Sequence, residues 1–310
     1  MIHNNLLPNK LVSRLNKEEL CIFLFHGVVN KNENLIRNYT GKHINSNLFN
    51  QCMKELKKFG NPISMHDVLD ILINKKKFLP FSFAITFDDG FENNISVAAP
   101  ILEELKIPSI IYLTTKFIDQ NDISWTDKIE YIVENTSKNN VYEKNLKKIF
   151  YIRNIEEKIN YLNFVRKFVK NNNFINPINY ANNLSTELEV KLDNINLDNQ
   201  LDKKISWNQI RDLKNNKYIS FGGHSHTHRI LSFLSKEELK YELETSIKLL
   251  KEKGDLNTAH YSYPEGLSNS YSKGVIKELI KLGIKCCPTA IDGTNKSNTD
   301  PFELKRIMVG

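Results

Sequence analysis

The sequence predicts an α/β fold of parallel βα units interrupted by a mostly helical insertion. Three observations carry that prediction. Short runs of β-forming residues alternate with amphipathic stretches of helical spacing. Two of those runs end in clusters of chemically able side chains, Asp88-Asp89-Gly90 and Gly222-Gly223-His224-Ser225-His226-Thr227-His228. Between them, residues 119–204 lose the alternation and become Asn- and Lys-rich. A chain of 310 residues, 40% hydrophobic and 25% charged, is ample for one large α/β domain carrying such an insertion.

Taken in order, residues 1–19 form an N-terminal extension without the apolar core and small-residue cleavage site of a signal peptide. Leu20 to Phe25 reads as the first strand, closed by His26-Gly27; it is too short to span a bilayer. Helical spacing follows in Leu48, Phe49, Cys52, Met53, Leu56 and Phe59, then from Met65 to Leu72. Ser82 to Phe87 is a strand, Ile95 to Leu105 is amphipathic, and Pro108 to Leu113 is a strand again. This completes the units of residues 20–118. The insertion, 119–204, has helical spacing in Ile129, Ile132 and Val133 and in Leu162, Val165, Phe168 and Val169.

The βα pattern resumes over residues 205–310. Ser206-Trp207-Asn208-Gln209 is a capping box opening a short helix. Tyr218 to Phe221 is a strand, and Ser235-Lys236-Glu237-Glu238 caps a helix running to Leu250, with Gly254 beyond its end. Ala259 to Tyr263 is the next strand, Val275 to Leu282 a helix, and Ile284 to Pro288 a last strand.

The chemistry concentrates at two strand ends, where parallel α/β folds build their ligand sites. Adjacent ionised aspartates repel, so Asp88 and Asp89 require a cation or a shifted pKa. The plain alternative is that one of them caps the following helix. Three histidines in five residues are a large share of the chain's eight. A His-x-x-x-His spacing presents two ring nitrogens to one divalent ion when the segment turns helically. One Asp and two His would leave a coordination position open for water, as in catalytic zinc sites.

Thr86-Phe87-Asp88-Asp89-Gly90 followed by His224-Ser225-x-x-His228 resembles the signature pair of the metal-dependent polysaccharide deacetylases, a carbohydrate esterase family. The resemblance covers roughly residues 20–118 and 205–290. It implies a distorted (β/α)7-type barrel, a divalent ion held by Asp89, His224 and His228, and Asp88 as general base. Zn2+ is favoured by the ligand types. His226 points off the ligand face, and Ser225 orients a ligand. Ser262-Tyr263-Pro264-Glu265-Gly266 resembles the family's third motif, commonly Arg-x-Pro, with Ser262 in the arginine's place. The resemblance then makes the Glu265 backbone N–H an oxyanion donor, with Tyr263 and Pro264 beside the substrate.

Two departures follow from the comparison of motifs. Without its arginine, Asp88 needs another partner, Arg306 or Arg229; Arg306 is also a candidate substrate contact. The Leu-x-His motif that often supplies a general acid is absent, and Leu304-Lys305-Arg306 stands in that region. His26 is the candidate replacement, because barrel strand ends converge on one face; otherwise it closes the barrel mouth. Trp125-Thr126-Asp127 is reminiscent of an aromatic segment in deacetylases of surface-glycan pathways. There Trp125 either stacks on a sugar ring or anchors the insertion.

The expected function is metal-dependent removal of acetyl from an N-acetylated amino sugar, in making a cell-surface polysaccharide or glycolipid. An O-deacetylase or sugar deformylase would use the same machinery, and a degenerate glycan-binding barrel is the non-enzymatic alternative. Intact ligands and an intact Asp88 weigh against the last. The net charge of +7 is dispersed and no nucleic-acid module is recognisable, so no nucleic-acid partner is expected. Loose attachment to an anionic membrane surface is compatible with that charge. Cys21, Cys52, Cys286 and Cys287 form no Cys-x-x-Cys pair, and a reduced, cytoplasmic protein is expected.

Overall fold

The computed structural model describes residues 6–31, 36–257 and 259–310. Residues 1–5 of the expected extension lie outside them. The described strands are β1 (Cys21–Phe25), β2 (Gly27–Val29), β3 (His43–Asn45), β4 (Asn61–Pro62), β5 (Ser82–Phe87), β6 (Ser109–Leu113), β7 (Asn140–Glu143), β8 (Lys148–Tyr151), β9 (Ile219–Gly223) and β10 (Ile307–Met308). The main sheet runs β10-β1-β5-β6-β9, with β4 beside β5, and every pairing in it is parallel.

Past β9 the strand path continues through single parallel bridges, Gly223 to Tyr261 and His260 to Cys286. The strands expected at Ala259–Tyr263 and Ile284–Pro288 are therefore extended segments, the first bridged once to β9 and once to the second. Thr289 N–H then donates to Leu304 O (2.8 Å) and Arg306 N–H to Ile291 O (3.0 Å), bringing the tail alongside before it enters β10. The fold is thus a distorted (β/α)7-type barrel, and Ile284–Pro288 is not its last strand. A two-residue strand after Lys305-Arg306 carries too little apolar pattern to show in sequence.

Register explains how the runs are used. Ile22 lies opposite Ala84, Thr86 opposite Ile110 and Tyr112 opposite Gly222. These residues share one face of the sheet, and Ile22, Ala84, Ile110, Tyr112 and Cys286 pack together there. The alternate residues Phe23, Phe25, Phe83, Ile85, Phe87, Ile111 and Phe221 pack outward against the helices. Burial on both faces is why the strands read as unbroken apolar runs. Gly222 is required for space: a Cβ there would come within 2.7 Å of the Tyr112 ring.

The helices expected from spacing are present as Ser46–Phe59, Met65–Ile73, Trp207–Leu213, Lys236–Glu252 and Lys273–Lys281. The capping boxes at Ser206/Gln209 and Ser235/Glu238 both close reciprocally. Ile95 to Leu105 starts instead as a π-helical turn, Asn94–Ala98, before helix Ala99–Glu104. Pro100 has no N–H to return to Ser96, which an α-turn there would need. The extension contributes helix Leu6–Val12, whose Leu11 is buried in the core behind β1 and β5.

The insertion holds helices Trp125–Asn135, Ile155–Asn171 and Pro177–Glu187, with a core of its own built on Ile129, Ile132, Leu162, Val165 and Leu184. It also contains an unexpected antiparallel hairpin, β7–β8. The chain re-enters the barrel beside the aspartates: Glu92 N–H donates to Lys203 O (2.9 Å) and Ile205 N–H to Gly90 O (3.1 Å).

Candidate metal centre and active site

β5 delivers Asp88 and Asp89 to the C-terminal mouth of the barrel. Asp88 N–H still bonds Phe25 O (3.0 Å), so it belongs to the sheet, whereas Asp89 and Gly90 both take positive φ, 74° and 70°. The consecutive left-handed residues swing the two carboxylates apart. Asp tolerates that region better than most residues, and Gly90 is freed for it by lacking a Cβ. Neither Asp caps the next helix, whose first turn follows Asn93.

Each carboxylate has its own cation. Arg306 donates Nη1–H to Asp88 Oδ1 and Nη2–H to Asp88 Oδ2, both at 2.8 Å, with Nε–H on Thr289 O at 2.6 Å. Ser262 Oγ accepts from Arg306 Nη2 (3.0 Å) and lies 3.3 Å from Asp88 Oδ1. Burial alone would raise the Asp88 carboxyl, but the Arg306 guanidinium outweighs it and the net shift is downward. Lys42 Nζ sits 3.1 Å from Asp89 Oδ2 and 3.2 Å from Asp127, on the first turn of helix Trp125–Asn135. Burial works against Asp89 too, yet Lys42 and His228 hold it well below the usual carboxylate range.

The other oxygen, Asp89 Oδ1, is buried with no hydrogen-bond partner among the described residues. It lies 3.2 Å from His228 Nε2 and 3.7 Å from His224 Nε2. His224 Nδ1–H donates to Ser262 O (2.9 Å), because a carbonyl can only accept; its Nε2 therefore carries the lone pair toward Asp89. One atom each from Asp89, His224 and His228 lies within 4.8 Å of the others. An orphaned carboxylate oxygen facing two imidazoles fits a divalent cation with O and N ligands.

The histidine segment is not a helix. Ser225 and His228 have positive φ, and Ser225 Oγ accepts the His228 N–H at 2.9 Å, turning the chain back so both rings face Asp89. Glu242, buried on helix Lys236–Glu252, accepts the Thr227 amide and hydroxyl and fixes the loop from outside. His226 bonds Thr115 Oγ1 (3.0 Å) and leans on Tyr241, away from the ligands.

These groups line a cleft that also takes in His26, Thr40, Thr126, Arg166, Lys170 and Glu265. Thr126, Arg166 and Lys170 come from the insertion, which forms one wall. Lys170 Nζ pairs with Glu265 (2.5 Å) across the opening. Glu265 has φ 62°, and its N–H donates no hydrogen bond among the described residues. His26 is half-buried on the cleft wall, and burial pulls its pKa down to about 4. That direction favours the uncharged ring at neutral pH.

Several expected positions change. Arg306 is fully buried and spends its guanidinium on Asp88, Ser262 and Thr289, so it is not a substrate contact. It is the partner that Asp88 needed; Arg229 pairs with Glu238 instead. Tyr263 is buried, stacks on Tyr271 and donates its hydroxyl to Phe302 O (3.1 Å), and Pro264 is buried outside the cleft. Alternation along the segment turns Ser262 inward and Tyr263 outward. Trp125 packs into the insertion core while its edge borders a mixed polar and apolar groove that shares His228, Lys170 and Glu265 with the cleft. Lys42 and Glu242 carried no expectation.

Arg306→Met is expected to cost ~3–5 kcal/mol, because it strands a buried carboxylate. Asp88 is depressed in the fold, so the pair's contribution is present above the ordinary carboxylate value of about 3.9 and lost as pH falls through the folded one. Denaturation of wild type and variant at a series of pH values checks this. The gap should close only in acid, and a neutral-pH cost below ~1 kcal/mol, the range of exposed pairs, would contradict it.

A parallel barrel brings a carboxylate and two imidazoles together at its C-terminal mouth, with a second, arginine-held carboxylate beside them, an arrangement suited to hydrolytic chemistry. The polysaccharide deacetylase profile matches residues 75–287, and the chain belongs to that family. Its members are hydrolytic deacetylases of polysaccharides, which makes the substrate a carbohydrate. The match ends before Arg306, so the partner of Asp88 lies outside it.

Among solved structures, the chain resembles the Streptococcus pyogenes deacetylase PplD in complex with acetate. The identity is 16%, the TM-score 0.60, and 94% of this chain and 93% of that one are covered. IcaB from Ammonifex degensii follows at 14% and TM-score 0.58 (96% and 94% covered). A de-N-acetylase from Aggregatibacter actinomycetemcomitans follows at 15% and 0.57 (94% of each). At these identities the likeness is one of fold. No curated protein matches the chain.

Proposed function

We propose that the protein removes the acetyl group from an N-acetylated amino sugar, with a divalent ion, Zn2+ by ligand type, held by Asp89, His224 and His228. The observation that carries this reading is the separate partnering of the two aspartates. Lys42 takes one oxygen of Asp89 and leaves the other facing two imidazoles, while Arg306 holds Asp88 ionised at the cleft. The ion would supply acidity to a water and polarise the acyl carbonyl.

Asp88 accepts the proton of the attacking water. Arg306 fixes the carboxylate by both oxygens, so its orientation is set before substrate arrives. The Glu265 N–H is available to the oxyanion, in a loop that Lys170 ties to the insertion. With His26 neutral, return of the proton to the leaving amine also falls to Asp88. The acetate in the PplD structure and the de-N-acetylase among the neighbours support acetyl and an amide.

The test is a panel of N-acetylated, O-acetylated and N-formylated amino sugars, free and lipid- or nucleotide-linked, scored for released acid and new amine. Acetate with an equal yield of amine is expected. Acetate without amine would assign O-deacetylation, and formate alone a deformylase.

A further inference from the structure

We propose that the β7–β8 hairpin docks the protein on an anionic lipid surface. In this ribbon Tyr142 lies opposite Ile149 and Val141 opposite Phe150. Successive residues face opposite sides. The inner side is committed to the insertion: Val141 is buried, Phe150 packs on the same core, and the Tyr161 and Tyr180 hydroxyls donate to Glu143. The outer side carries Tyr142, Ile149 and Tyr151 at 45%, 52% and 54% exposure, with Leu146 at 42% in the turn. A cross-strand Tyr–Ile pair facing water adds nothing to the core, and a contiguous exposed patch of this kind marks an interaction surface.

The charges around it choose the occupant. Lys144, Lys147 and Lys148 are all exposed, and among the described residues none has a carboxylate in ion-pair reach. Of the neighbouring charges, Lys138 pairs with Glu189 and Arg153 with Glu157, while Glu187 accepts the Tyr142 N–H (2.9 Å) at the ribbon's edge, which leaves three lysines to one carboxylate. Tyrosine favours the headgroup boundary, and each lysine near an anionic surface adds attraction while its stem lies along apolar material. A nucleic acid would leave Leu146 and Ile149 unmatched. Pairing of the ribbon edge with a second copy is opposed by the same lysines. Docking here would bring the insertion to the membrane. The inference stands apart from the deacetylase reading. Among the described residues no helix is long and apolar enough to cross a membrane.

The test is co-sedimentation of the full chain with phosphatidylcholine vesicles with and without phosphatidylglycerol. Binding is expected only with the anionic lipid, weakening as salt rises. The triple variant Lys144→Gln, Lys147→Gln, Lys148→Gln should lose roughly 100-fold in partitioning. Tyr142→Ser with Ile149→Ser should lose roughly tenfold or more. Tyr142 and Ile149 point outward and Lys144 and Lys147 lie in the turn, whereas Lys148 reaches over Phe150 (Nζ 4.8 Å from the ring centroid); unchanged melting curves would confirm folding. Equal binding to both vesicle types, or indifference to both variants, would overturn the proposal. So would dimerisation abolished by Tyr142→Ser with Ile149→Ser in a protein that binds no vesicles, which would assign the face to a second copy.

Discussion

Asp88→Asn is expected to bind its metal and lose ~10²–10⁴-fold in turnover, the usual contribution of a general base. The variant keeps the shape of the side chain but cannot take a proton. Asp88 stands outside the ligand triangle; its closest approach to a ligand ring is 3.9 Å, from Oδ2 to His224 Nε2. Its oxygens are instead committed to Arg306 and Ser262. An amide would turn an N–H₂ toward the guanidinium, so some stability is lost as well, and turnover must be read below the variant's melting range. Metal analysis and kinetics on one preparation check the division of roles. Loss of metal equal to that of an Asp89→Asn variant would refute it.

His228→Ala is expected to lower metal affinity by more than ~100-fold, since even outer partners of a ligand cost 10–100-fold. Activity should fall with it. Burial lowers the His228 imidazole pKa, but Asp89 raises it further, and the net shift is upward. An ion must therefore displace a proton that Asp89 helps to hold. Apparent affinity should weaken as pH falls through the raised value, with protons released on binding. Calorimetry in buffers of different ionisation enthalpy measures that release. His226→Ala is the control, because its ring faces Thr115 and Tyr241.

The side chains that converge at the candidate metal centre were legible because Asp and His at strand ends are scarce and chemically distinctive. The strands were legible because burial on both faces gives unbroken apolar runs. Lys42 was not legible: it sits in a loop before β3, and only the fold brings it to Asp89. Glu242 lies mid-helix among Lys and Glu and reads as one more solvated charge, although it is buried against Thr227. Arg306 is one of two arginines whose place in the sequence suits the missing arginine's role, but a position near the C-terminus does not separate partner from substrate contact. Tyr263 was misplaced because adjacency to Ser262 in a motif ignores strand alternation. The hairpin was missed because its strands are four residues each, and its turn uses Lys147 at φ 49° where glycine would have marked it.

Stepwise return of Zn2+ to chelated wild-type protein, with acetate release from an N-acetylated amino sugar recorded at each addition, tests the metal-dependent deacetylase most directly. Acetate release should rise from near zero and level off at one ion per chain, and His228→Ala should show no such saturation. Full acetate release from protein stripped of metal would contradict the assignment of Asp89, His224 and His228.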